Sequence, residues 1–138
     1  WHRFCRMILQ GGELDGARVL GPATVSYMLS NHLPDGKDAA SVVHRGVGST
    51  STASKGVGFG LGFQVVLNPQ EYGMLVGVGA AGWGGAAGTY FWVDPTNDLA
   101  CVFSASVLYP SYMPWNSLRN VVYAHLDVPL NLPGGSRL

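Results

Sequence analysis

Charge is what this sequence has least of. Only 12% of its 138 residues are charged, and eight basic side chains balance eight acidic ones, with no basic run and no acidic tail. That leaves no electrostatic footprint for nucleic acid or for an anionic membrane surface, so neither is expected as a partner. Long apolar runs are also missing. Each is broken by glycine or by a charge well before bilayer-spanning length, and no membrane span is expected. No cationic, apolar, small-residue leader opens the chain, so the compartment, cytoplasmic or periplasmic, is left unassigned. Cysteine is scarce: Cys5 and Cys101 stand far apart, each among apolar neighbours, and read as buried thiols. There is no Cys-x-x-Cys, and none of His2, His32, His44 and His125 has a ligand-like partner at i+2 to i+4. No metal site is expected, and the histidines read as surface or capping residues. A Gly-x-Ser-x-Gly elbow is absent, which removes support for an α/β-hydrolase.

What is present is enough apolar material for one ordinary domain, 47% of the residues. "WHRFCRMILQGG" has helical spacing, with Phe4, Met7 and Ile8 on one face and Trp1 continuing it, so the chain is expected to begin inside a helix that Gly11 and Gly12 end. Pro22 signals a second helix through Thr24, Val25, Tyr27, Met28 and Leu29 to about Asn31. Residues 32–56 are rich in Gly, Ser, Thr and Asp without a sustained period, which predicts a long loop. "GVGFGLGFQVVLN" then reads as a strand with Phe59, Leu61, Phe63 and Val65 on one face and glycines on the other, where something packs close. "MLVGVGAAG" is a weaker strand candidate. "GTYFWVDPTNDLACVFSASV" predicts a hairpin around residues 94–98, with Asp94 and Asp98 in turn chemistry and Phe91 and Trp92 on opposite faces. "MPWNSLRNVVYAHL" predicts a closing helix with Leu118, Val121, Val122 and Leu126 as its apolar face. Helices, then antiparallel strands, then a helix make the fold class α+β.

The order of these elements, together with "RFCRMILQGGELDGARVLGPATVSYMLSNHLP", "GFGLGFQVV" and "GWGGAAGTYFWVDPTNDLACVF", resembles the C-terminal part of the serine β-lactamase and penicillin-binding-protein-like family. Within it the chain looks most like the class C-related branch that includes the family VIII carboxylesterases. The resemblance implies an antiparallel sheet flanked by helices, the C-terminal part of a β-lactamase/transpeptidase-like fold. It makes residues 1–56 the end of a helical subdomain plus the long loop, and 57–138 the returning strands and closing helix. Family enzymes carry Lys-Thr-Gly or His-x-Gly on an active-site strand, and esterase-like members often show Trp-Gly-Gly, which Trp83-Gly84-Gly85 matches. By that resemblance the backbone N–H of Ala86 is one of two oxyanion donors, Trp83 walls the acyl pocket, and Gly84 and Gly85 keep its floor open for the substrate carbonyl. The missing triplet lysine tilts the implied substrate towards neutral esters over β-lactams.

The family nucleophile sits in Ser-x-x-Lys, where the lysine one turn later accepts the serine proton. The nearest stretch here is Thr52-Ala53-Ser54-Lys55, with threonine in the serine position, and no tyrosine opens a Tyr-x-Asn. Both motifs normally lie upstream of the part this chain resembles, so a missing N-terminal portion of the same fold is expected as partner. The implied function is that of the C-terminal segment of a serine hydrolase acting through an acyl-enzyme on a small ester or amide, without a cofactor, the chain alone being inactive. A non-catalytic binding or scaffold relative, or an inactive truncated fragment, is the alternative.

Overall fold

A computed structural model describes residues 1–42, 54–108 and 114–127. Along them run α1 (His2–Leu9), a short hairpin of β1 (Glu13–Leu14) and β2 (Ala17–Arg18), α2 (Pro22–Met28) and the single turn α3 (Ala39–Val42). There follow β3 (Val57–Phe59), β4 (Gln64–Val66), the single turn α4 (Pro69–Tyr72), β5 (Ala81–Gly84), β6 (Tyr90–Asp94), β7 (Leu99–Phe103) and α5 (Pro114–Ala124). Strands β3 to β7 form one antiparallel sheet in sequence order, so β5 is its central strand. The α+β expectation holds, with helices packed on the sheet.

The two sheet faces follow from strand alternation. Phe63, Val65, Ala81 and Val93 point to one side and bury against Cys5, Met7 and Ile8 of α1 and Val25 of α2. Val66, Tyr90 and Trp92 point to the other and bury against Trp115 and Tyr123 of α5. Burying each large side chain of this kind contributes about 1.5–3 kcal/mol, which is what holds the three layers together. Phe91 and Trp92 separate as expected: Phe91 stacks with Trp1 at 4.9 Å, whereas Trp92 is 1% exposed beneath α5. Gly11 and Gly12 close α1 with positive φ, and the Gly12 N–H returns to the Met7 carbonyl at 2.8 Å.

Three expectations are corrected. "GVGFGLGFQVVLN" is two strands, not one: it folds back between β3 and β4, and the Gly60 N–H closes on the Phe63 carbonyl at 2.7 Å. Phe63 and Val65 are therefore buried, while Phe59 and Leu61 are exposed at and beyond the end of β3. The glycines do admit a close neighbour: a side chain at Gly58 would strike Asn31, and one at Gly60 the Met28 carbonyl. Second, the strand expected in "MLVGVGAAG" begins only at Ala81, because residues 74–80 turn back from α4 towards the sheet. Third, α5 buries Trp115, Arg119 and Tyr123, spaced by four, with Leu118, Val122 and Leu126 packed beside them; Val121 is 56% exposed. A four-residue spacing keeps one face, and large aromatic surface outcompetes smaller aliphatic side chains for it.

Candidate active-site strand

The Trp83-Gly84-Gly85 triplet straddles the end of β5. Trp83 and Gly84 are its last residues, paired to Phe91 and Tyr90 of β6, and Gly85 continues the ladder through its N–H to the Thr89 carbonyl at 2.9 Å. On the opposite edge β4 pairs only with Ala81 and Gly82. Beyond Gly82 no strand among the described residues pairs with that edge of the central strand. A tight turn follows, closed by the Gly88 N–H on the Gly85 carbonyl at 3.0 Å, and Ala86 and Ala87 form its two exposed central positions. The Ala86 N–H has no protein acceptor among the described residues. Ala86 therefore sits in a turn, one residue past Gly85, and not within the strand.

The small residues here have two causes. At Gly82 a side chain would collide with the Phe91 carbonyl and the Trp92 backbone, so close strand packing demands glycine. At Gly84 a methyl group would meet the Tyr90 ring at 3.1 Å, and at Gly85 the Thr89 hydroxyl oxygen at 2.6 Å, a side-chain atom that can rotate away. Trp83 is 36% exposed and lies edge-on to Phe59, ring centroids 5.1 Å apart at 82°. The cavity against α5 and the one between α1 and the start of β7 are not lined by Trp83, Gly84, Gly85 or Ala86. Trp83 and Gly85 are exposed and Gly84 is half-buried.

The other polar candidates fall where simple chemistry puts them. Asp94 is 0% exposed: Oδ1 accepts from the Thr96 and Asn97 N–H groups at 3.0 and 3.1 Å, and Oδ2 from Asn97 Nδ2 at 2.7 Å. Asp98 occupies the left-handed region of the same turn, φ +48°. His32 contacts the Tyr27 carbonyl and His125 the Val121 carbonyl, each at 2.7 Å, and His2 is exposed. Among the described residues no three His, Cys, Asp or Glu side chains gather as a metal site. Both cysteines are free; Cys5 is buried as expected but Cys101 is only half-buried, and burial raises each thiol above its ordinary value, which favours the protonated form. Thr52, Ala53 and His44 lie outside the described residues. Sequence reasoning missed Arg119 and Tyr123; their shared spacing with Trp115 is the signal that points to them.

An α+β domain whose central strand ends in an open glycine-rich turn is the class this geometry defines. The profile of the family described as Beta-lactamase matches residues 15–121, and the chain belongs to that family. Two Mycobacterium tuberculosis proteins, "Uncharacterized protein MT1414" of strain CDC 1551 / Oshkosh and "Protein Rv1367c" of strain ATCC 25618 / H37Rv, are each 38% identical to it over 104 residues. The match takes in 73% of this chain and 24% of theirs, so the chain spans about a quarter of the length of these relatives. Among solved structures, "EstCE1, a hydrolase with promiscuous acyltransferase activity" superposes with TM-score 0.66 at 22% identity, over 86% of this chain and 27% of that one. Unliganded simvastatin synthase (LovD) from Aspergillus terreus gives TM-score 0.66 at 16% identity, over 90% and 32%. These two likenesses show the fold. No helix among the described residues is long and apolar enough to cross a membrane.

Proposed function

We propose that this chain is the C-terminal segment of a serine hydrolase that works through an acyl-enzyme on small neutral esters or amides. In this reading residues 1–56 end a helical subdomain, residues 57–138 are the returning strands and closing helix, and the nucleophile and its base come from an N-terminal portion of the same fold. The observation that carries it is the edge of β5 at Trp83–Gly84, which no described strand pairs, leading to an exposed Ala86 N–H without an acceptor among the described residues. An acyl group lying along that edge meets the backbone of Gly84 and Gly85, and a donor that gives up no protein hydrogen bond, only water, can turn to a developing oxyanion. Trp83 and Phe59 supply apolar surface beside it. EstCE1, a hydrolase with promiscuous acyltransferase activity, fits the same reading.

The test is covalent labelling. A fluorophosphonate should modify one serine of the longer protein, outside these 138 residues, and abolish turnover of a p-nitrophenyl ester, while this chain alone is unlabelled. Modification of a serine within this chain overturns the division of labour. An unlabelled, inactive longer protein supports a non-catalytic relative instead.

A further inference from the structure

The end of β3 is held from outside the sheet. Its inner edge pairs with β4, Phe59 opposite Gln64, but among the described residues no strand pairs with its outer edge. The segment at the end of α2 stands in for one: the Phe59 N–H donates to Asn31 Oδ1 at 3.1 Å, the His32 N–H to the Phe59 carbonyl at 2.8 Å, and the Leu61 N–H to the Met28 carbonyl at 2.9 Å. Asn31 supplies its side chain, the others backbone. Its amide is engaged at both ends, because Oδ1 also accepts from the Leu33 N–H at 3.1 Å while Nδ2 donates to the Lys37 carbonyl at 2.9 Å. Gly58 completes the seat, since a side chain there would occupy the space of the Asn31 amide.

What this clamp fixes lies towards the candidate site. The Phe59 ring meets Trp83 edge-on, centroids 5.1 Å apart, although β4 stands between β3 and β5 in the sheet. The contact arises where β4 has stopped pairing with β5, one residue past Gly82. No ladder hydrogen bond joins β3 to β5, so the place of the Phe59 ring beside Trp83 depends on where the end of β3 is held. Both residues are 36% exposed, which leaves apolar ring surface for a chain to cover. We propose that Asn31 is a positioning residue of the acyl site: it holds the Phe59 ring against Trp83 and so sets the preference for longer apolar acyl chains. This rests on the hydrolase reading above, and adds to it a substrate preference and a residue that acts only through Phe59.

The experiment uses the longer protein that carries this chain, with p-nitrophenyl acetate and hexanoate as substrates. Fluorotryptophan is incorporated so that the fluorine resonance of Trp83, assigned by its loss in Trp83→Phe, reports the neighbouring ring. Asn31→Ala should move that resonance in the same direction as Phe59→Ala does, and lower the hexanoate-to-acetate ratio of kcat/KM by about fivefold, chiefly through the KM for hexanoate. Asn31→Asp keeps the acceptor for the Phe59 N–H and should restore most of both; Asn31→Ser, whose shorter arm falls short of Phe59, replaces the alanine variant if that does not fold. Once Phe59→Ala has removed the ring, Asn31→Ala should change the ratio no further. Equal losses on both esters, an effect that adds to that of Phe59→Ala, or an unmoved Trp83 resonance would each overturn the proposal and leave the hydrolase reading standing. Failure of the unsubstituted protein to hydrolyse either ester overturns that reading, and the acyl role of Asn31 with it.

Discussion

The Tyr123 hydroxyl donates a 2.7 Å hydrogen bond to Oδ2 of Asp94, tying the closing helix to the turn between β6 and β7. The bond is buried, and burial together with the adjacent carboxylate holds the phenol well above its ordinary pKa, so it remains a donor through the physiological range. Tyr123→Phe removes that donor while Asn97 Nδ2 still serves the same oxygen. We expect a loss of about 1–3 kcal/mol in denaturant unfolding. Asp94→Ala should cost more, because it strands the phenol and both turn amides at once. Equal stabilities for the two variants would mean that the turn bonds contribute nothing measurable.

Gly82 and Gly85 look alike in sequence and differ in space. An alanine at Gly82 meets the backbone of β6, which cannot move without breaking the ladder, whereas at Gly85 it meets only the Thr89 hydroxyl. Gly82→Ala should destabilise by about 1–3 kcal/mol, the usual cost of overpacking, and Gly85→Ala by clearly less. If Gly85 serves the acyl group, its alanine variant should instead lose turnover in the longer enzyme at nearly unchanged melting temperature. A Gly82→Ala protein as stable as its parent would contradict the close strand approach.

This contrast shows what the sequence could and could not disclose. The hairpin of β6 and β7 was legible, because two β-rich runs flank a turn built from Asp, Pro and Asn. Helix α1 was legible from its period and its glycine pair. The β3–β4 hairpin was not, since alternating glycine and large residues from 56 to 63 satisfy a strand pattern whether or not the chain reverses within it. Arg119 was hidden for a different reason: a cation on a helix reads as solvent-facing until the aromatic rings of α4 and β6 are seen around it. As for the site, Trp83-Gly84-Gly85 could be found in the letters, but that β4 stops pairing at Gly82 is a property of register alone.

Asp38 offers a pH-dependent test. Its carboxylate accepts from the Ser41 hydroxyl, the Ser41 N–H at 2.9 Å and the Gly56 N–H at 3.0 Å. These bonds, the Ser41 hydroxyl foremost, hold its pKa below the ordinary aspartate value. A depressed folded-state pKa contributes stability that is present above the unfolded value and is lost as pH falls through the folded one. The Gly56 amide resonance should therefore titrate with a midpoint below that of an unconstrained aspartate, and Asp38→Asn should flatten the titration. A Gly56 resonance indifferent to acid would remove this anchor between α3 and β3.

The sharpest test of the oxyanion assignment uses Ala86, and the turn geometry makes it cleaner than a strand position would. Ala86 is the first central residue of the Gly85–Gly88 turn, where proline's fixed φ is favoured, and its N–H has no acceptor to lose among the described residues. Ala86→Pro should thus leave the fold of the longer enzyme intact, with unchanged near-ultraviolet dichroism, yet delete the proposed donor. Loss of one oxyanion donor costs about 10²- to 10³-fold in turnover. Ala86→Gly keeps the donor and should cost only modestly. Trp83→Ala, which removes half-exposed apolar surface beside Phe59 and no group able to transfer a proton at neutral pH, should alter the preference among acyl chains more than kcat. If folded Ala86→Pro enzyme turned over ester at a near-normal rate, the donor would lie elsewhere, and the small residues after β5 would be explained by packing against Thr89 and Tyr90 alone.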